Sequence, residues 1–230
     1  MSYPGGKNGS GVYQQIINRI PPHEVYVEPF LGAGAILRMK RPASINIACD
    51  IDPDVVRRFH WSSSSELTLL QANALDYLRG ITLTLTTFVY LDPPYPMSTR
   101  SSQRRLYAAE FSDDQHAMLL EIIKGLDCMV MISSYPNTLY DTVLSSWQRA
   151  IFNTTNRAGA RVTESLWMNY PPPVKLHDYQ FLGDGYRERE RIKKKKARWI
   201  ARLRSMPDVE RNALAAAISE IDDMSGGTAA

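Results

Sequence analysis

The stretch "FVYLDPPYPM" at positions 88–97 joins a run of apolar and aromatic residues to an acid, two prolines and a tyrosine. The first four residues predict a buried strand, which must end at the prolines because neither has an amide hydrogen for a sheet ladder. Asp92 and Tyr95 are therefore expected on a rigid turn at the end of a core strand. A carboxylate, the Pro93 carbonyl and a flat aromatic face together suit a planar ring that bears an exocyclic amine. A plain strand cap and turn is the alternative.

Similar apolar runs alternate with helical signals along the chain. The helix predicted at 111–127 opens with Ser112 and Gln115 in capping-box spacing and ends near Gly125. Strands that alternate with helices indicate an α/β fold with a mostly parallel central sheet, and two strands around a glycine-containing turn within 148–170 indicate a C-terminal antiparallel hairpin. The other strands are predicted at 24–30, 44–50, 86–91 and 128–134, with a short one at the start of 66–80.

Glycines and acids are placed where such a sheet binds ligands, at the carboxyl ends of its strands. In "VEPFLGAG" (27–34), Gly32 and Gly34 permit close approach of a ligand to the backbone, although a tight strand-to-helix turn explains them equally well. Asp50 ends the next strand and could accept both hydroxyls of a ribose, or could simply begin a turn. The two features together favour an adenosine-containing cofactor. The Gly-Gly-Lys of "YPGGKNG" (3–9) lacks the P-loop spacing.

Composition bounds the class of protein. The 230 residues are 44% hydrophobic, and no apolar run approaches the roughly 20 residues of a membrane span. The polar, glycine-rich first residues are unlike a secretory signal. Cys49 and Cys128 stand in apolar runs and are interpreted as buried thiols of a reducing compartment, so we expect a cytoplasmic protein. The four histidines show no metal-ligand spacing, and no metal site is expected.

Positive charge is concentrated near the C-terminus. The formal net charge is +3, yet 187–204 holds ten Lys or Arg against two Glu. Such a segment either binds a polyanion or is a solvated helical face. The composition changes after "YPPPV" (170–174), so we predict a catalytic domain at 1–174, a basic helical extension at 175–224 and a disordered tail at 225–230.

Five motifs in order carry a family resemblance: "YPGGK", "VEPFLGAG", "CDID", "LDPPY" and "TESLWMNY". They resemble the motifs of D12-type, Dam-like DNA adenine-N6 methyltransferases, in the short form often found in phage and prophage genomes, over roughly 2–171. The resemblance implies a Rossmann-like S-adenosylmethionine-dependent methyltransferase fold, and a modification or restriction–modification role. Only 58 positions separate Gly34 from Asp92, so the recognition region of longer relatives is missing and a short or relaxed target sequence is expected.

The resemblance also implies a site: S-adenosylmethionine as cofactor, and an adenine flipped out of double-stranded DNA as substrate. Asn73 stands where relatives often carry Asp at the cofactor's adenine, and Asp76 is its rival. The implied catalytic residues are Asp92, Pro93, Pro94 and Tyr95. The implied cofactor-binding residues are Tyr3, Gly5, Gly6, Lys7, Glu28, Phe30, Gly32, Gly34, Asp50, Ile51, Asn73 and Asp92.

Three basic segments are candidates for DNA contacts. The segment 95–111 is the candidate recognition loop, 153–161 is a second loop, and the basic helix would bind phosphates. We expect a monomer or weak dimer that is associated with the nucleoid and has no membrane contact. The basic residues concerned are Arg100, Arg104, Arg105, Arg157, Arg161, Lys193, Lys194, Lys195 and Lys196.

Three other functions fit parts of the sequence. Adenine methylation in RNA would use the same turn, and a catalytically silent nucleic-acid-binding protein would need only the basic helix. A nicotinamide-dependent oxidoreductase is disfavoured by the glycine spacing.

Overall fold

The computed structural model describes residues 6–9, 11–99, 110–155 and 159–226. The chain divides into two compact units, residues 1–181 and 182–230. The first unit contains the sheet and the shorter helices. The second contains two long helices. The predicted domain boundary at 174 stays a prediction, and the first compact unit extends slightly beyond it.

A seven-stranded sheet organises the first unit. Its order is β3-β2-β1-β4-β5-β7-β6, and β7 is antiparallel to both neighbours whereas the other pairs are parallel. The predicted fold class, a mostly parallel Rossmann-like sheet with a C-terminal antiparallel hairpin, is confirmed. The strands are β1 (Val25–Glu28), β2 (Ile45–Asp50), β3 (Glu66–Gln71), β4 (Thr87–Leu91), β5 (Met129–Ser134), β6 (Gln148–Thr155) and β7 (Arg161–Met168).

The helices follow the predicted alternation with one addition. The helix at Val12–Ile17 was not predicted, because it begins after Gly11 without a side-chain cap and has no acid in its first turn or base in its last. The predicted capping box is confirmed, since the Ser112 side chain accepts from the Gln115 amide and the Gln115 side chain accepts from the Ser112 amide. The helices are α1 (Val12–Ile17), α2 (Ala35–Met39), α3 (Pro53–Arg58), α4 (Ala74–Gly80), α5 (Asp113–Lys124), α6 (Thr138–Val143), α7 (Tyr186–Arg204) and α8 (Asp208–Gly226).

Strand β4 is the buried centre of the sheet. Its alternate residues enter two apolar clusters: Phe88 and Tyr90 lie among residues of α1 and α2, whereas Val89 and Leu91 pack with α4, α5 and α6. All five of its residues are buried, as expected for a parallel strand covered on both faces. The chain runs from β1 outward to β2 and β3 and then crosses to β4 on the other side of β1. The carboxyl ends of β1 and β4 therefore border the crevice where such folds bind ligands.

The second unit holds the basic segment as one 19-residue helix, α7. The side chains of Lys193, Lys194, Lys195 and Lys196 are exposed along it. Helix α8 continues to Gly226, inside the segment 225–230 that was expected to be disordered. Residues 227–230 lie outside the described part of the chain.

Two stacked histidines fasten the end of the first unit to its core. The rings of His23 and His177 are 3.8 Å apart at 23°, and the His177 amide donates to the carbonyl of Ile20 at 2.9 Å. Both imidazoles are buried. Burial, assisted by the charge of Lys40, lowers the pKa of His23 from 6.5 to about 3 and that of His177 to about 4. The folded protein therefore requires both rings to be neutral.

This pair is expected to make folding acid-sensitive. A depressed folded-state pKa gives stability that is complete above about pH 6.5 and is lost as the pH falls toward 3. Between pH 7 and pH 5, His23 alone should lower the free energy of unfolding by about 2 kcal/mol. Urea unfolding at the two pH values measures this.

His23→Phe keeps the stacking on Phe88, where the ring centroids are 5.3 Å apart, and should reduce the pH dependence. The exposed His60 supplies the matched control, His60→Phe, which should behave like the parent. Equal pH dependence in His23→Phe and the parent would contradict the explanation.

Candidate active site

The loop between β1 and α2 is shaped by glycines and by Asp50. Gly32 and Gly34 have φ of 48° and 61°, a backbone region that glycine tolerates best. The Asp50 carboxylate accepts from the Gly32 amide at 2.8 Å and from the Asp52 amide at 2.9 Å. Burial raises the pKa of Asp50. The acid at the end of β2 therefore organises the glycine loop, a contact that the sequence did not predict.

A cleft opens along this loop and encloses about 940 Å³, part of it open to solvent. It extends from Asp50 past the carboxyl ends of β1 and β4. Asp76 does not line the cleft. Its exposed side chain pairs with Arg79 at 3.6 Å. The predicted residues that line the cleft are Gly6, Lys7, Glu28, Phe30, Gly32, Gly34, Asp50, Ile51, Asn73, Asp92, Pro93 and Pro94. The predicted cofactor residues Tyr3 and Gly5 lie outside the described residues.

The cleft is lined by both acidic and apolar side chains. Glu28 is buried and accepts from the Tyr26 hydroxyl at 2.7 Å and the Leu37 amide at 3.1 Å. Burial raises the pKa of Glu28 to about 8. The apolar side chain of Ile51 is half-exposed at the cleft. The Asp92 carboxylate for a cation, the Asp50 carboxylate for ribose hydroxyls and an apolar surface for a base fit S-adenosylmethionine.

Asn73 begins α4 and its side chain accepts from the Leu75 amide at 2.9 Å. The side-chain oxygen is therefore engaged as a helix cap, and the amide nitrogen is the group with which this cleft residue could donate. Of the two rivals for the adenine of a cofactor, Asn73 is the one that lines the cleft.

The turn after β4 is held by a buried ammonium group. Lys7 is 3% exposed, and its Nζ lies 2.9 Å from Asp92 Oδ1 and 3.4 Å from Glu164 Oε2. The same ammonium donates to the Tyr95 hydroxyl. Ser133 donates to Asp92 Oδ1 at 2.9 Å. Lys7, which was predicted to contact the cofactor, thus contacts the predicted catalytic residues directly.

Asp92 and Lys7 both line the cleft, and Asp92 is the more exposed of the two, with 18% of its side chain exposed against 4% for Lys7. Tyr95 is buried and its ring meets the Tyr135 ring edge-on at 4.6 Å. The Tyr95 ring does not line the cleft. The structure thus brings Asp92, Pro93 and Pro94 to the cleft wall and places Tyr95 behind it, against Lys7.

Several residues of this site were missed from the sequence. Glu164 was quoted only as part of "TESLWMNY", although an acid within an otherwise apolar strand is a signal of a buried partner. Ser133, in the buried β5, carried no such signal. The cleft is also lined by Phe111, the last residue of the predicted recognition loop, and by Gln115 in α5.

The predicted DNA contacts are only partly described. Arg161 is exposed at the start of β7, and Lys193 to Lys196 are exposed on α7. Arg100, Arg104, Arg105 and Arg157 lie outside the described residues. Among the described residues no group of His, Cys, Asp and Glu could hold a metal ion, and no described helix is long and apolar enough to cross a membrane.

The sheet and the cleft agree with the S-adenosylmethionine-dependent methyltransferase that the motifs predict. Residues 68–158 match the sequence model of the D12 class N6 adenine-specific DNA methyltransferases. The match covers somewhat under half of the chain, from β3 through the Asp-Pro-Pro-Tyr turn into the β6–β7 hairpin. It confirms the resemblance drawn from the motifs and supports an adenine-N6 methyltransferase. No curated protein matches the chain.

Solved structures similar to this chain have low identity. A precorrin 8W decarboxylase from Methanobacterium thermoautotrophicum is 15% identical with a TM-score of 0.47, over 74% of this chain and 94% of that one. The N-methyltransferase NodS from Bradyrhizobium japonicum is 12% identical with a TM-score of 0.45, over 69% and 91%. A putative RNA methyltransferase from Pyrococcus horikoshii is 12% identical with a TM-score of 0.44, over 68% and 79%. None of these names defines a substrate for this chain.

The glycine loop supplies a test of the cleft. A Cβ on Gly34 would lie 2.4 Å from the Phe59 ring, whereas a Cβ on Gly11, whose φ is also positive, would meet nothing within 4 Å. Gly11→Ala should lower the free energy of unfolding by about 1 kcal/mol through its backbone alone. Gly34→Ala should cost about 2–3 kcal/mol because Phe59 must also move.

Only Gly34→Ala should also weaken S-adenosylmethionine binding, by about tenfold or more, because the displaced loop lines the cleft. Urea unfolding and calorimetric titration measure the two effects. Equal cofactor affinity in both variants would contradict the assigned role of the loop.

Proposed function

We propose that this enzyme methylates the N6 amine of an adenine that is flipped out of double-stranded DNA, at specific sites. The observation that carries the proposal is the position of Asp92. Its carboxylate and the following Pro93 stand at the wall of the same cleft that Asp50 and the glycine loop border. A hydrogen-bond acceptor for an amine is thereby placed next to a candidate cofactor pocket. The family match over 68–158 supports adenine as the base and DNA as the polymer.

The cleft residues divide the work of holding S-adenosylmethionine. We assign the ribose to Asp50, the adenine to Ile51 and Asn73, and the methionine end to Glu28, Phe30 and the glycine loop. When bound, the cofactor supplies an electrophilic methyl group on a sulfonium, whose sulfur keeps the bonding electrons when the methyl leaves. The negative charge of Asp92 in the lining suits this positive charge.

The chain's own residues act on the amine. The lone pair of adenine N6 is delocalised into the ring and is a poor nucleophile. Hydrogen bonds from N6 to the Asp92 carboxylate and the Pro93 carbonyl favour a tetrahedral nitrogen, whose lone pair forms the new N–C bond. The nitrogen becomes positive and then loses one proton to regain neutrality. Asp92 stabilises the developing charge, which is electrostatic preorganisation without a covalent enzyme intermediate.

Contacts with DNA are assigned to the basic segments. The loop within 95–111 follows the catalytic turn directly and is the candidate reader of bases, with Arg157 and Arg161 in a second loop. Lys193 to Lys196 on α7 would bind phosphates, which carry no sequence information. The short spacing between Gly34 and Asp92 supports a short or relaxed target sequence.

Removal of the Asp92 carboxylate tests the catalytic assignment. Asp92→Ala should reduce methyl transfer to duplex DNA by about a hundredfold or more in a protein that still folds. Asp76→Ala, on an exposed carboxylate outside the cleft, is the matched control and should leave turnover unchanged. Labelled methyl transfer to duplex DNA and to RNA of the same sequence measures both activity and substrate class. Transfer confined to RNA, or near-normal turnover by Asp92→Ala, would refute the proposal.

Charge reversal of α7 tests the phosphate contacts. Replacing Lys193 to Lys196 by Glu should weaken binding to all duplexes alike and reduce the slope of log affinity against log salt by up to about 3.6. Fluorescence anisotropy on a methylatable duplex and an unrelated one, at several salt concentrations, measures this. Loss on one sequence only would mean that α7 reads bases, and calorimetry should show unchanged cofactor affinity.

A further inference from the structure

Glu164 is an acid in the interior of the sheet that the proposed mechanism does not use. It lies on β7 at 7% exposure, on the same face as Leu166 and Met168, which belong to the core. A buried carboxylate is costly unless a partner compensates its charge. Within the described part of the chain its Oε2 accepts no hydrogen bond and lies 3.4 Å from the Lys7 ammonium. The compensation therefore comes from Lys7.

The Lys7 ammonium has three hydrogens, and three oxygens surround it. Asp92 and Glu164 approach it at 2.9 and 3.4 Å, and the Tyr95 hydroxyl is the third. Burial alone lowers the pKa of Lys7, but the two carboxylates outweigh burial and leave that pKa raised. Lys7 is thus a fixed cation. One of the groups that fix it, Glu164, belongs to β7, which is remote in sequence from the catalytic turn.

The cluster contains one positive and two negative charges. Lys7 cannot neutralise Asp92 and Glu164 together, so one unit of negative charge remains. Asp92 has the most exposed side chain of the three, at 18% against 4% for Lys7 and 9% for Glu164. The net negative charge of the cluster therefore borders the cleft, where the methylated nitrogen becomes positive.

We propose that Glu164 is a positioning residue for methyl transfer: by holding Lys7 it fixes Asp92 and Tyr95. This inference rests on the proposed function of Asp92. The effect of the Glu164 charge on kcat should change sign when Lys7 is removed. With Lys7 present, the Glu164 charge raises kcat because it holds Lys7 in place. Without Lys7, Asp92 and Glu164 are two like charges with no cation between them, and the Glu164 charge disfavours the charged form of Asp92.

The test compares four proteins: the parent, Glu164→Gln, Lys7→Met and the double variant. Glu164→Gln in the parent should lower kcat on the order of tenfold, with the KM for DNA and the affinity for S-adenosylmethionine within about twofold. Lys7→Met should have a lower kcat that rises with pH, as Asp92 ionises later. Adding Glu164→Gln to Lys7→Met should raise kcat at pH 7 and shift that rise to lower pH.

A readout without cofactor or DNA accompanies the kinetics. In urea unfolding at pH 8, Lys7→Met should lower the midpoint because it leaves unpaired buried acids, and the added Glu164→Gln should restore part of the loss. If Glu164→Gln does not fold in the parent, Glu164→Asp replaces it: the retained charge with a longer gap to Lys7 should lower kcat and leave cofactor affinity unchanged.

The outcomes separate the two proposals. A parent that transfers no methyl group to any DNA overturns the proposed function, and the urea experiment then still reports on the charge cluster. A parent that methylates DNA, with normal kcat in Glu164→Gln or with the same fractional loss in both backgrounds, overturns the positioning role. A rise in kcat confined to the Lys7→Met background supports it.

Discussion

The arrangement of the candidate active site depends on the buried ammonium group of Lys7. Lys7 comes from the N-terminal segment, Asp92 and Tyr95 from the turn after β4, and Glu164 from the antiparallel β7. A charged group at 3% exposure is tolerated only when its partners are close and opposite in charge. This requirement joins three distant parts of the chain at the point where the catalytic turn meets the cleft. Lys7, from the N-terminal segment, is therefore part of the proposed active site.

The sheet topology supplies the second constraint. Strands are added on one side of β1 as far as β3 and on its other side from β4 onward. The carboxyl ends of the parallel neighbours β1 and β4 therefore lie side by side at the point where the strand order reverses. The glycine loop after β1 and the Asp92 turn after β4 consequently border one cleft. Asp50 adds rigidity, since its carboxylate accepts from the Gly32 and Asp52 amides. Backbone geometry thus places the glycine loop and Asp92 side by side at the cleft.

Prediction from the sequence succeeded where a signal is local. The central strands, the capping box at Ser112 and the motif residues that line the cleft are each set by a few neighbouring residues. Helix α1 was missed because it has no side-chain cap to mark its start. Ser133 was missed because a serine in an apolar run has no distinctive pattern. Tyr95 was expected to offer a flat face to the base, whereas its buried ring packs edge-on against Tyr135 and contacts Lys7. That arrangement depends on partners 40 or more positions away.

By itself the sequence determined the order of strands and helices, the family resemblance and the identity of the acid after β4, because hydrophobic period, proline and glycine act over a few residues. Only the tertiary structure decided the pairing of charges: that Lys7 lies between Asp92 and Glu164, and that Asn73 and not Asp76 lines the cleft. Burial and distance between remote residues set the strength of these interactions. Neither quantity exists until the sheet has formed.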